Sequence, residues 1–361
     1  DWSSDVCSSD LWEWQDSINL LLCKLIAIKE EIKDSDEGNE LEMIIQNLHE
    51  YSNTATVIME ENLDGEDKIT WLEYERGRVV AVASSSLNAG NVLNEMLYPG
   101  LESLIMVSAT LAIEENFDYF LNRVGLNSWQ ADDRVNTLLQ KSPFNYDEQA
   151  QLLILNDMPE PAQPVYAETV AGVLEELIMA MGGQVLVLFT ARKQLRDVAL
   201  LLRPDCEMNG IKLLAQYEDG EFSHLVDEFI HSSSAVLMGV ETFWEGIDLK
   251  GEVLKCVVIV RLPFRPPSDP YCTAADRSCR LQKINSFQHF MLPDATVRFK
   301  QGSGRLIRSE DDHGLVVVLD SRLEKKAYGR VFKNSIPIKN TRMISRKQLA
   351  GYVKNLSLIR K

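Results

Sequence analysis

The sequence predicts an α/β fold in which a parallel sheet is flanked by helices. Three observations predict it. From residue 166 onward, short apolar runs alternate with segments of helical apolar spacing, the pattern of strand–helix–strand units. Of the 361 residues, 45% are hydrophobic, which supports sizeable cores in a chain with room for two domains. No repeat of fixed period interrupts the alternation.

Residues 1–11, "DWSSDVCSSDL", are low in complexity and read as a translated adaptor, a non-native scar set aside from the fold. On this reading the chain is a fragment. Residues 12–50 carry apolar residues at helical spacing on either side of the acidic break "DSDEGNE", which predicts one or two helices. Residues 69–83, "ITWLEYERGRVVAVA", read as two strands about an Arg-Gly turn, and 89–98 as a short helix. "LESLIMVSATL" (101–111) is an apolar run ending in small hydroxyl residues, and predicts a buried strand with a site at its C-terminal end. Residues 116–126 predict a helix with Gly125 near its end, and the polar, Pro-containing stretch 127–165 predicts a connection between domains. Beyond it the spacing predicts helices at 166–181, 192–202 and 221–231 and a long helical region around 272–305. Strands are predicted at 184–190, 211–216, 235–240, 253–264 and 314–320. The tail, 334–361, has seven Lys or Arg and no acid; it reads as a basic arm or a solvated terminus, helical near 346–356.

The net charge of −17 is unevenly divided. Residues 1–75 hold 20 acids and 4 bases, whereas residues 239–361 hold 12 acids and 23 bases. The C-terminal third therefore suits a polyanion such as nucleic acid or nucleotide. Six cysteines without a C-x-x-C pair read as reduced cytoplasmic thiols, not a metal site. No apolar stretch reaches the roughly 18 residues of a membrane span.

The basic third contains "QGSGRLIRSEDDHG" (301–314). Arg305 and Arg308 are spaced to share a helix face. With glycines beside them they fit either a phosphate-binding pair or a charged, solvated helix. Three further segments lie at strand ends or helix starts: "VSATL" (107–111), "LFTA" (188–191) and "GVETFWEGIDLKG" (239–251). In this order, and with "SPFNYDEQA" (142–150), "RLPFRPPSDP" (261–270) and "DSRLEKKAYGRVF" (320–332), they resemble the XPD-like group of helicase superfamily 2, its bacterial DinG-type members above all. The resemblance covers roughly residues 80–335.

The resemblance implies RecA-like domains: a complete second motor domain and the C-terminal part of the first, with ATP between them and single-stranded or forked DNA across them. It implies that Gln301, Arg305 and Arg308 act on the ATP phosphates. An arginine there stabilises charge developing on the γ-phosphate. It places Glu245, Gly246, Asp248 and Gly304 at the nucleotide, and Thr190, Gln216, Thr242 and Trp244 at the DNA. Ser108 and Thr110 would couple hydrolysis to domain closure. Phe243 and Trp244 either stack on a base or fill the core. Gly302 and Gly304 let the arginine-bearing helix pack closely. Glu310, Asp311 and Asp312 cap a following turn or hold neighbouring arginines.

No G-x-x-x-x-G-K-[ST] loop is present, and "DEFIH" (227–231) is a decoy for the acidic box because it falls on a helix. ATP with Mg²⁺, held mainly by a missing N-terminal part, is the implied requirement, and an iron–sulfur cluster stays open. The expected parse is a scar at 1–11, the remainder of the first helicase domain with arch-like helices at 12–126, a connection at 127–165, a second helicase domain at 166–338 and a basic tail at 339–361. The implied protein is a cytoplasmic, monomeric, 5′-to-3′ DNA helicase of repair or replication. A non-catalytic nucleic-acid-binding module and a nuclease that lost its exonuclease domain are the rivals.

Overall fold

The structure is a computed structural model that describes residues 8–32, 36–60, 68–75, 78–245, 249 and 253–356. The chain divides into two compact units, Asp1–Ala89 and Gly90–Lys361.

In the first unit, helices α1 (Ser8–Glu31) and α2 (Asp36–Glu60) pack on each other. Leu22 and Ile45 are buried, and Lys29 pairs with Glu42 at 2.7 Å. Helix α1 starts inside the stretch set aside as a scar. Strands β1 (Lys68–Glu75) and β2 (Arg78–Ser86) form an antiparallel hairpin. Its expected Arg-Gly turn lies outside the described residues.

The second unit opens with α3 (Ala89–Met96), α4 (Asp118–Arg123) and α5 (Asn127–Ala131). Gly125 has φ +72°, and a Cβ there would meet the Gly90 backbone at 2.7 Å. Only glycine permits that turn and that approach. The strand expected at 101–111 is not formed. The segment is irregular, with Ile105 86% and Val107 88% exposed. A strand exists only where a neighbour completes its hydrogen bonds, and this segment pairs with no described strand. Apolar composition alone could not supply that partner.

Seven strands make the parallel sheet: β3 (Ala150–Leu155), β4 (Val185–Leu188), β5 (Lys212–Ala215), β6 (Ala235–Gly239), β7 (Cys256–Ile259), β8 (Gly314–Val318) and β9 (Thr341–Ile344), in the order β5-β6-β4-β7-β8-β3-β9. Alternate residues of each strand enter opposite cores. On one face Leu153, Val185 and Val187 pack with side chains of the helices at Tyr166–Met181, Arg192–Met208 and Arg346–Lys354. On the other, Leu152, Leu186 and Leu188 pack with Phe229, Trp244, Phe299 and Phe332. Each fully buried apolar side chain contributes about 1.5–3 kcal/mol.

Two expectations change here. The stretch 127–165 is not a mere connection, because it contains α6 (Tyr146–Gln149) and the wholly buried β3. Its run "QLLIL" was hidden between polar, Pro-rich flanks. The boundary between compact units falls instead at Ala89/Gly90. The basic tail is also built into the sheet. Strand β9 pairs with β3, and Leu349 and Val353 enter the core. We number the remaining helices α7 (Tyr166–Met181), α8 (Arg192–Met208), α9 (Phe222–His231), α10 (Glu241–Glu245), α11 (Pro270–Leu281), α12 (Leu292–Ser303), α13 (Arg322–Lys325), α14 (Gly329–Ser335) and α15 (Arg346–Lys354).

Candidate functional site

Parallel strands deliver all their C-terminal ends to one edge, where α/β proteins build sites. Short helix α10 follows β6 there, and α12 packs against it with Gln301 in its last turn. The two helices touch through Gly302. A Cβ on Gly302 would lie 2.8 Å from Trp244 Cε3 and 3.0 Å from Leu188 Cδ1, so only glycine permits the contact. The chain leaves α12 at Gly304, an exposed C-cap. Gly304 therefore ends the helix; a Cβ there would meet only carbonyl oxygens of its own helix, the nearest that of Lys300 at 3.0 Å, so Gly302 alone of the two makes the close approach to another element.

Arg305 then turns back onto α10. Its Nε and Nη2 both donate to the Trp244 carbonyl oxygen, at 3.1 and 2.8 Å. That carbonyl belongs to the last turn of α10, where helix oxygens lack intrahelical donors and a cation is favoured. Arg308 is fixed through its backbone. Asp312, 5% exposed, accepts the Arg308 and Ser309 amides on Oδ2 at 2.7 and 2.8 Å. From α6, Gln149 Nε2 donates to the Ser309, Glu310 and Asp312 carbonyls at 2.9, 3.1 and 3.0 Å. Asp312 thus caps the turn after the arginines, as the acidic run suggested. The clamp by Gln149 was missed, because its partners lie about 160 residues away in sequence. Gln301 Oε1 is buried without a hydrogen bond. Lys300, beside it, donates to the Ala112 carbonyl at 3.2 Å, and burial lowers its pKa.

A second strip crosses the ends of β4, β6 and β5. Thr190 is half-buried after β4. Gln216 is 5% exposed, with Oε1 accepting the Val240 amide at 2.8 Å and Nε2 donating to Thr242 Oγ1 at 2.9 Å. Its side-chain amide is thus engaged inside the protein, beneath the exposed Thr242. Trp244 is likewise enclosed. It is 4% exposed, packed beneath Gly302, and its Nε1 donates to the Phe189 carbonyl at 2.9 Å. Of the two readings of the aromatic pair, core filling holds for both, since Phe243 is fully buried against Phe222.

Glu245 is exposed at the end of α10, while Gly246 and Asp248 lie outside the described residues. Ser108 and Thr110 bond to each other, hydroxyl to hydroxyl at 3.2 Å, in an exposed segment that belongs to no described strand. The edge also holds a buried ion pair, inside the segment 320–332, to which the motifs assigned no role. Asp320, with no exposed surface, receives Arg322 in two-pronged fashion and accepts the Leu262 amide at 2.9 Å. Tyr166 donates to the Val260 carbonyl, and burial, with Asp320 nearby, raises its phenol pKa. Among the described residues no group of three His, Cys, Asp or Glu side chains could hold a metal, and no helix is long and apolar enough to cross a membrane.

Residues 174–339 match the family described as the helicase C-terminal domain. A Bacillus subtilis protein named 3′-5′ exonuclease DinG is 33% identical over 323 residues, covering 88% of this chain and 34% of that protein. The Escherichia coli ATP-dependent DNA helicase YoaA is 34% identical over 267 residues, covering 74% and 40%. The chain thus spans well under half of either relative. A solved structure named XPD_Helicase matches with TM-score 0.57 at 17% identity, covering 91% of this chain and 62% of that one, a likeness of fold.

Proposed function

From the membership of this chain in the DinG-type branch of the XPD-like helicases, we propose that it forms the second motor domain, with the end of the first, of a 5′-to-3′ DNA helicase that couples ATP hydrolysis to movement on single-stranded DNA. The observation that carries this reading is the lock between α12 and α10. Gly302 seats on Trp244, and Arg305 holds the Trp244 carbonyl. The segment that senses nucleotide in this proposal is thereby fastened to the segment that leads from β6 toward the DNA strip, a contact through which the two can be coupled.

The two arginines have different tasks in this proposal. Arg305 has its guanidinium committed to a protein carbonyl and serves as the link. Arg308, with its backbone clamped by Asp312 and Gln149, meets the γ-phosphate of ATP. The buried, unbonded Oε1 of Gln301 leaves an acceptor ready for the attacking water. The sequence has no phosphate-cradling lysine loop. That loop, and the Mg²⁺ that accompanies ATP, belong in this proposal to a domain supplied by sequence outside the chain.

The test is Arg308→Ala in the chain joined to a domain carrying that loop. Charge on the γ-phosphate grows in the transition state, so kcat should fall by about 10³-fold or more with little change in KM. Arg308→Lys should not rescue it, because a point charge cannot replace a planar fork. Affinity for single-stranded DNA without nucleotide should hold. Undiminished turnover by folded Arg308→Ala rejects the assignment.

A further inference from the structure

Tyr217 and Arg192 form an exposed pair on the strip made by the ends of β4, β6 and β5. Tyr217 follows Gln216 directly at the end of β5, and its backbone has φ +71°. That left-handed conformation favours glycine, and a bulky side chain adopts it only under strain. The residue is 49% exposed, so burial stabilises it only in part. Neither backbone preference nor core packing accounts for a tyrosine here. A strained residue held at a surface is a pointer to function.

The guanidinium of Arg192 lies 4.2 Å from the centre of that ring. Arg192 is itself exposed and opens α8, two residues after Thr190. Strand β6 lies between β4 and β5 in the sheet. The pair therefore bridges the end of β6, the strand that leads to Thr242. The neighbouring acids are engaged elsewhere: Glu218 faces Arg196 at 3.6 Å, and Asp219 pairs with Arg203 at 2.9 Å. Helix α8 has no side-chain cap, since its N-cap is Ala191, and Lys193 adds a second positive charge to its first turn.

We propose that Arg192 and Tyr217 form a stacking platform for one base of a single DNA strand, whose phosphates follow the basic, uncapped start of α8. The proposal rests on the helicase reading and names residues that it did not use. An aromatic ring and a guanidinium plane both offer flat faces to an unpaired base, whatever its identity. A duplex keeps its bases stacked and cannot use them.

Fluorescence anisotropy of the 361-residue chain with a labelled oligothymidylate and with a matched duplex tests this, alongside thermal unfolding. Tyr217→Gly relieves the backbone strain, so its melting temperature should equal or exceed that of the wild type. Its single-strand affinity should nevertheless fall about fivefold or more. Arg192→Ala should weaken single-strand binding in the same direction, Tyr217→Phe should retain it, and duplex binding should change less than about twofold for all three. Tyr217→Gly that binds the single strand as well as the wild type overturns the platform and leaves the DNA reading standing. Lower melting temperature together with weaker binding also overturns it, because the tyrosine is then structural. A wild-type chain that binds no oligonucleotide overturns both the platform and the DNA reading.

Discussion

Gly302 and Gly304 sit two residues apart in one motif, and the structure separates their tasks. At Gly302 an added methyl meets the rigid, buried ring of Trp244 at 2.8 Å. Overpacking of that kind destabilises by about 1–3 kcal/mol, which outweighs the roughly 1 kcal/mol that alanine gains over glycine in a helix. Gly302→Ala should therefore lower the urea midpoint and loosen the Arg305 link to the Trp244 carbonyl. Gly304 is exposed with φ −70°, a value any residue adopts. An added methyl there meets no other element, only carbonyl oxygens of its own helix, the nearest that of Lys300 at 3.0 Å, so Gly304→Ala should cost less than Gly302→Ala, under about 1 kcal/mol. Equal effects in the two variants would mean that α12 does not depend on the close approach at Trp244. The same contact explains a misjudged residue. In sequence, Trp244 beside Thr242 reads as an aromatic offered to DNA; only the missing side chain of Gly302, 58 positions on, reveals where the indole is housed.

Strands β4 to β8, and helices α8 and α9 among them, were legible because each carries its own apolar period and its own flanking turn. Elements whose identity depends on a distant partner were not. The run at 101–111 has strand composition but pairs with no described strand, so it is not one. Conversely, β9 has three exposed residues out of four, yet it is a strand because β3 supplies the ladder. Helix α15 was foreseen as a segment, but its place in the core was not. Its nine residues bury Leu349 and Val353 against the sheet while its lysines face outward. If the segment is part of the domain, Leu349→Ala should cost about 2–5 kcal/mol in chemical unfolding. Lys347→Ala, on the exposed side, should change stability by less than about 0.5 kcal/mol. A solvated basic tail predicts no effect from either substitution.

The molecule as a whole is acidic, yet its proposed ligand is a polyanion, and the distribution of charge reconciles the two. Residues 1–60 hold 14 acids and 3 bases, while residues 239–361 carry an excess of 11 bases. Contact and distance then act differently. Bases that touch phosphates release counterions, so log K should fall linearly with log salt, with a slope near −0.7 per phosphate neutralised on a single strand. Acids that never touch the strand act only through the long-range field, which reaches about 30 Å at 0.01 M salt and about 8 Å at 0.15 M. A variant lacking residues 1–60 should therefore bind an oligothymidylate more tightly than the full chain at low salt. The gain should shrink as salt rises, because screening removes the repulsion from both proteins. Between physiological and higher salt the two binding lines should run parallel, because the same phosphates are contacted. A deletion that weakens binding places DNA contacts in the first 60 residues and contradicts this division. A slope that stays flat for both proteins rejects phosphate contact by the basic third.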